Sequence, residues 1–196
     1  DFNKVNAAAR FSHGSPADGY SLTAMYYASG GRLTTDQPLR AVEDGVISRF
    51  GTLDPTDASR SSRFSLSGHY GAGGDRWSLS ADAYAFRSTM TLWNNFTHFL
   101  DDPINGDQEA QDERRNTFGG AAAYTLHNAF GSISSETIVG LQARYDSVFG
   151  DRKHTAYRTT TLDYGRQEHE EGTATPYAAV DGYCNADLAR VLGLGP

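Results

Sequence analysis

The chain has 196 residues and a formal charge of -7, room for one ordinary domain and little more. Leu, Ile, Val and Phe together make up only about 18% of it, a share that hints at disorder. Eleven Tyr, ten Phe and two Trp argue for a folded chain, and 21 Gly argue for β-structure with turns. A lone cysteine, Cys184, excludes an internal disulfide and a CxxC metal pair. No apolar run is long enough for a membrane helix, and Asp1-Phe2-Asn3-Lys4 does not read as a signal peptide. The acidic balance and the lack of a basic stripe speak against a nucleic-acid partner. Negative mean hydropathy suits a soluble protein, but equally a membrane β-barrel, which faces lipid with only every second residue.

In chain order, Val5 to His13 alternates apolar and polar residues and ends at the turn signal His13 to Gly19. Alternation resumes at Tyr20, Leu22, Ala24, Tyr26 and Ala28. The stretch from Gly30 to Ser61 has no strand period. Within it Leu39, Val42, Val46 and Phe50, with Pro38 ahead and Gly51 behind, predict a short helix packed on neighbouring loops. Phe64, Leu66, Gly68 and Tyr70 form the next strand, turned at Gly71 to Asp75. A long strand from Arg76 to about Phe96 starts with Trp77, Leu79 and Ala81 on one face and continues with Tyr84, Phe86, Met90 and Leu92. That shift of phase predicts a bulge near Ala83. His98 to Arg115 is irregular, Phe118 to Leu126 alternates, and a short link from Asn128 to Ile133 leads to Thr137 through Tyr145. A third polar excursion covers Ser147 to Glu171. Thr173 to Tyr183 and Leu188 to Leu194 bring the expected strand segments to eight.

The connectors therefore run short, long, short, long, short, long, short. Strict alternation is what an up-and-down membrane barrel requires, with tight turns on its periplasmic side and long loops outside. Strands of about ten residues tilted near 40° reach about 25 Å, and aromatics such as Phe11, Tyr20, Tyr26, Trp77 and Trp93 sit near their ends. The fold class expected is all-β, an antiparallel meander forming part of a transmembrane barrel. The competing reading is a soluble meander whose Tyr and Phe fill a core.

Two stretches carry a resemblance. One is Arg40-Ala41-Val42-Glu43-Asp44-Gly45-Val46-Ile47-Ser48-Arg49-Phe50-Gly51, continuing through Leu53-Asp54-Pro55-Thr56-Asp57 to Ser61-Ser62-Arg63-Phe64-Ser65-Leu66-Ser67-Gly68. The other runs from Leu92-Trp93-Asn94-Asn95-Phe96-Thr97-His98-Phe99-Leu100 to Asp101-Asp102-Pro103-Ile104-Asn105-Gly106-Asp107-Gln108. Both resemble the barrel of TonB-dependent outer-membrane receptors of Gram-negative bacteria. The resemblance implies active uptake of a scarce solute: a siderophore, another metal complex, a vitamin or an oligosaccharide. It also implies a plug domain and the TonB energy-coupling complex as partners of the full-length protein, with outer-membrane lipid around the wall. Residues 1–196 are then expected to be a partial barrel domain, without plug, coupling box or aromatic-terminated closing strand.

Ligand selection is expected at the long loops. Trp93, Asn94, Asn95, Phe96 and His98 bring aromatic faces and amides together, which suits sugars or aromatic chelates; girdle and loop packing is the plainer reading. Asp101 and Asp102 open an acidic loop tip that attracts cationic or metal-bearing solutes. The loop nearly spells a calcium site through Asp101, Asn105, Gly106 and Asp112, but Pro103 falls where a side-chain ligand belongs. No cofactor is expected. The six histidines lack metal-ligand spacing, Glu168-His169-Glu170-Glu171 reads as solvated loop charge, and Gly71 to Gly74 precedes a strand, unlike a nucleotide loop. No constellation points to an enzyme. A small passive pore and a secreted carbohydrate-binding β-protein are the alternatives.

Overall fold

A computed structural model describes residues 2–32, 36–130 and 133–184. Seven strands form one sheet in chain order: β1 (Phe2–Gly14), β2 (Gly19–Arg32), β3 (Ala58–Gly74), β4 (Trp77–Asn95), β5 (Gln108–Phe130), β6 (Ile133–Ala156) and β7 (Thr159–Cys184). Every neighbouring pair is antiparallel, so the sheet is an up-and-down meander. The expected eighth segment, Leu188 to Leu194, lies outside the described residues.

Register sorts the side chains onto two unlike faces. Ala7, Ala9 and Phe11 stand opposite Tyr26, Ala24 and Leu22, and Tyr26, Ala24 and Tyr20 stand opposite Phe64, Leu66 and Tyr70. The same rows continue through Leu79, Ala81, Ala83 and Ala85 to Tyr124, Ala122, Gly120 and Phe118, and then to Val139, Leu141, Ala143 and Tyr145. The result is an unbroken apolar band with small residues at mid-height and aromatics at its borders. It spans roughly 20 Å over Trp77–Ala85 or Phe118–Leu126, at about 3.3 Å per residue and a tilt near 40°. Trp77 stacks on Tyr124 at 6.0 Å at the turn-side border.

The opposite face is polar. Arg10 donates to Ser21 Oγ at 3.2 Å, His69 Nδ1 meets Asp82 at 2.8 Å, and Asp146 accepts from Thr117 and Arg144. Among the described residues only Ala41, Ala58 and Ala110 are buried apolar side chains, whereas Phe11, Phe64 and Phe118 are each more than half exposed. A soluble sandwich buries its aromatics between two sheets; here they cover the outside of one.

The rims differ as the connector rhythm predicts for the first two long connections but not for the third. Residues 15–18 and 75–76 separate strands at one rim, and the longer connections from Arg32 to Ala58 and from Asn95 to Gln108 do so at the other. Four expectations need correction. First, Ser147 to Glu171 is not a loop, because β6 and β7 pair as far as Ala156 and Thr159. The two residues between them, Tyr157 and Arg158, have φ of 49° and 66°, as a type I′ hairpin turn requires. Neither is the Asn or Gly that signals such a turn.

Second, β4 has no bulge near Ala83: its register with both neighbours is continuous. The apolar residues change face because the strand leaves the band at Ala85. Beyond it, Arg87, Thr89 and Thr91 continue the band face, while Phe86, Met90 and Leu92 face the other way. Third, the strands run further than their alternation, with β2 reaching Arg32 and β5 starting at Gln108. Backbone pairing continues where hydrophobic patterning has stopped. Fourth, the helix α1 covers only Leu39–Glu43 and ends at Gly45, whose φ of 73° favours glycine. It buries Ala41 alone, leaving Leu39, Val46 and Phe50 largely exposed where a packed face was expected.

Candidate functional site at the loop rim

The most enclosed part of the molecule is a polar network at the loop rim. Asp54, Asp57, Asn94, Asn95, Asp107, Gln108 and Thr155 are all buried there. They come from the two long connections, before β3 and between β4 and β5, and from the adjoining ends of β4, β5 and β6, which the meander brings side by side. A buried amide or carboxyl is tolerated only when partnered, and most of these groups are.

Gln108 sits at the centre. Its Nε2 donates to Asp57 Oδ1 at 3.0 Å and to Thr56 Oγ1 at 2.9 Å. Its Oε1 accepts from Thr155 Oγ1 at 3.0 Å and from the Arg158 backbone N–H at 2.9 Å. One side chain thus ties the 33–57 connection to the β6–β7 turn, and holds Arg158 in its positive-φ conformation. Arg158 Nε completes the tie by donating to the Thr56 carbonyl at 2.6 Å.

Asn95 joins the first two connections. Its backbone N–H donates to Asp57 Oδ1 at 3.0 Å and its Nδ2 to Asp54 Oδ2 at 3.3 Å, while its Oδ1 accepts from Phe99 N at 3.3 Å. Asp107 caps the same loop by accepting from Thr97 Oγ1 and from Asp101 N. Gly106 has φ of 86° and lies against Phe99 and Asn95, so an added Cβ would meet the ring. Burial pushes the Asp57 carboxyl up to about 6, and the nearby Asp54 adds to the rise; hydrogen bonds from Gln108 and Asn95 oppose it.

The residues singled out from the sequence divide by exposure. Asn95 is fully buried and Asn94 nearly so, with the Asn94 Oδ1 lacking a partner among the described residues. Trp93 lies between two guanidinium groups, Arg60 at 5.7 Å and Arg158 at 5.4 Å from its ring. Phe96 is about half exposed, and His98 starts a positive-φ pair with Phe99. Asp101 is exposed. Asp102 closes a tight turn, accepting from Ile104 N and Asn105 N on Oδ1 and from Asn105 Nδ2 on Oδ2. These bonds hold its carboxyl below the ordinary carboxylate range.

The calcium-like spacing does not gather. Asp102 serves the turn, Asp107 points into the network, and Asp112 stands on β5 accepting from Thr91 at 2.6 Å. Among the described residues no three metal-ligating side chains come together. Sequence reasoning missed Asp57, Gln108, Thr155 and Arg158. No local motif marks them, because their partners lie 38 to 102 positions away.

The sheet is similar to the crystal structure of the ferric citrate transporter FecA in its unliganded form. The TM-score is 0.64 at 11% identity, covering 94% of this chain and 27% of that one. The chain has the fold of a β-barrel transporter's wall. No family model and no curated protein matches it by sequence. It spans about a quarter of that transporter's length.

Proposed function

We propose that the chain is a segment of an outer-membrane TonB-dependent receptor for active uptake of a scarce solute, a siderophore, metal complex, vitamin or oligosaccharide. The observation that carries this reading is the exposed apolar band with aromatic borders, on a sheet that resembles a transporter wall at 94% coverage of this chain. In it the apolar band meets lipid, the 15–18 and 75–76 turns face the periplasm, and the loop rim faces outward. A plug domain and the energy-coupling complex belong to the full-length protein.

At the loop rim, the seven residues take two roles. Phe96, His98, Asp101 and Asp102 offer contact surface to the solute. Trp93, Asn94 and Asn95 hold that surface through the buried network and the arginine stack. Exposed Leu39, Val46, Phe50, Leu100 and Ile104 add apolar surface of the kind a ligand or plug would cover. The exposed aromatics also weigh against a soluble carbohydrate binder. A passive pore remains the alternative within the same membrane.

Vesicle flotation tests the membrane assignment: the chain should float with phosphatidylcholine vesicles and need detergent otherwise. A monodisperse, detergent-free chain would instead support the soluble binder. The coding sequence on either side separates receptor from pore. A plug-encoding region upstream supports uptake, whereas one complete small barrel gene overturns it.

A further inference from the structure

The short turn between β1 and β2 does not stand clear of the sheet; it folds across the polar face of β3. An added Cβ on Gly71 would lie 2.1 Å from the Pro16 carbonyl oxygen and 3.1 Å from the Ala17 carbonyl carbon, so the turn passes over a position without a side chain. The turn closes on itself, with Ser15 N donating to Asp18 O at 2.9 Å and Asp18 N to Ser15 Oγ at 3.1 Å. The Pro16 carbonyl that it turns inward meets His69 Nε2 at 2.9 Å. The other ring nitrogen, Nδ1, meets Asp82 Oδ1 at 2.8 Å, directly opposite on β4 in register.

A carbonyl oxygen and a carboxylate only accept hydrogen bonds, so holding both requires an N–H at both ring nitrogens. Imidazole has both only when protonated. The neutral ring has one N–H, and the charged carboxylate is the stronger acceptor, so that proton stays on Nδ1. The bare Nε2 lone pair then faces the Pro16 oxygen, and the turn loses its hold. Charge reaches the ring from two neighbouring elements: Asp82 of β4 attracts the imidazolium, while Arg10 of β1, bonded to Ser21 Oγ at 3.2 Å, repels it. From β2 the uncharged Ser21 stands beside His69, and Tyr84 lies two residues along β4 from Asp82 on the same face. The turn itself carries Asp18.

We propose that His69 is a proton-operated latch, holding the 15–18 turn against the polar face when charged and releasing it when neutral. The latch requires only the sheet and its turn, and is independent of the uptake reading. Asp82 also lines a trough of about 330 Å³ with Tyr84, Ala121, Gln142 and Arg144. A neutral ring leaves the Asp82 carboxylate uncompensated at the edge of that trough. One proton therefore sets both the position of the turn and the charge beside it.

The test is electron paramagnetic resonance of the full-length protein in detergent micelles, with native thiols replaced and a nitroxide attached at Ala17→Cys. The label should be immobilised at pH 5 and become mobile in one single-proton transition as pH rises to 9. A label at Asp75→Cys, in the neighbouring turn, should not change. His69→Gln, which cannot titrate, should abolish the transition. His69→Arg, which keeps a charged donor between the same two acceptors, should keep the label immobile at every pH. Mobility at residue 17 that ignores pH, or a transition that persists in His69→Gln, overturns the latch. So does an equal change at residue 75, which would mean a general loosening of the rim. Heat-modifiable migration on gels shows which variants fold; if the glutamine variant does not, a transition persisting in His69→Arg overturns the latch by itself.

Discussion

Gln108 Nε2 reaches Asp57 Oδ1 at 3.0 Å across 51 positions of sequence, joining the start of β5 to the residue before β3. The same amide's oxygen holds the β6–β7 turn. The loop rim is therefore one mechanical unit built on a single side chain, and its order stands or falls with that amide.

Gln108→Leu keeps the volume but removes every partner, leaving Asp57, Thr155 and the Arg158 N–H short of bonds. The expected loss is about 2–4 kcal/mol in denaturant unfolding in detergent. Hydrogen exchange should quicken at Asn95 and at residues 155–158, while the turn-side rim is unaffected. Unchanged exchange at Arg158 would show that the turn does not depend on Gln108.

Asp57 gives the rim a pH dependence of definite sign. Its folded pKa of about 6 lies above the ordinary carboxylate value of 3.8, so the folded state binds its proton more tightly. The stabilisation this supplies is full below about pH 4 and is lost as pH rises through 6. The rim should accordingly be better protected at pH 5 than at pH 7.5, in hydrogen exchange corrected for intrinsic rates. Asp57→Asn should flatten that difference, since the amide oxygen still accepts from Asn95 and Gln108. A variant as pH-sensitive as the parent would place the titration elsewhere.

Gly119 is fixed by its cross-strand neighbour. Tyr84, opposite it in register, lays its ring across the missing side chain, and an added Cβ would collide with that ring. Gly119→Val should cost about 1–3 kcal/mol by overpacking. Tyr84→Ala in the same chain should recover much of it, and thermal unfolding of the four forms measures the coupling.

The architecture was readable from the sequence where lipid-style patterning operates, and unreadable where it stops. Between Phe118 and Leu126 every second residue is apolar or small, and the strand is evident. From Gln108 to Thr117 the backbone pairs just as regularly, but Glu109, Glu113, Arg114 and Arg115 conceal it. The apparent bulge at Ala83 has the same origin: the surroundings of β4 change at its midpoint, and its register does not. At the rim, Asn94 and Asn95 drew notice as local chemistry. The partners of Asn95, Asp54 and Asp57, lie about forty positions away, beyond any local signal.

Strand edges give a further expectation. Among the described residues β1 and β7 each pair on one side only, which bare lipid does not tolerate. Residues 1–196 expressed alone in an outer membrane should show no heat-modifiable folded band on gels and no solute uptake. A discrete folded band would show that these strands close without further ones.

The lipid-facing wall is tested most directly by nitroxide scanning of residues 77–95 and 116–126 within the full-length protein in bilayers, with Cys184→Ser and any other native thiol removed. Oxygen accessibility should peak at Leu79, Ala81, Ala83 and Ala85 and at Phe118, Gly120, Ala122 and Tyr124. Alternate positions should favour a water-soluble relaxant, and from Arg87 upward the oxygen preference should vanish. Equal exposure of both faces to the aqueous relaxant, or exclusion of both reagents from one face, would contradict the membrane wall.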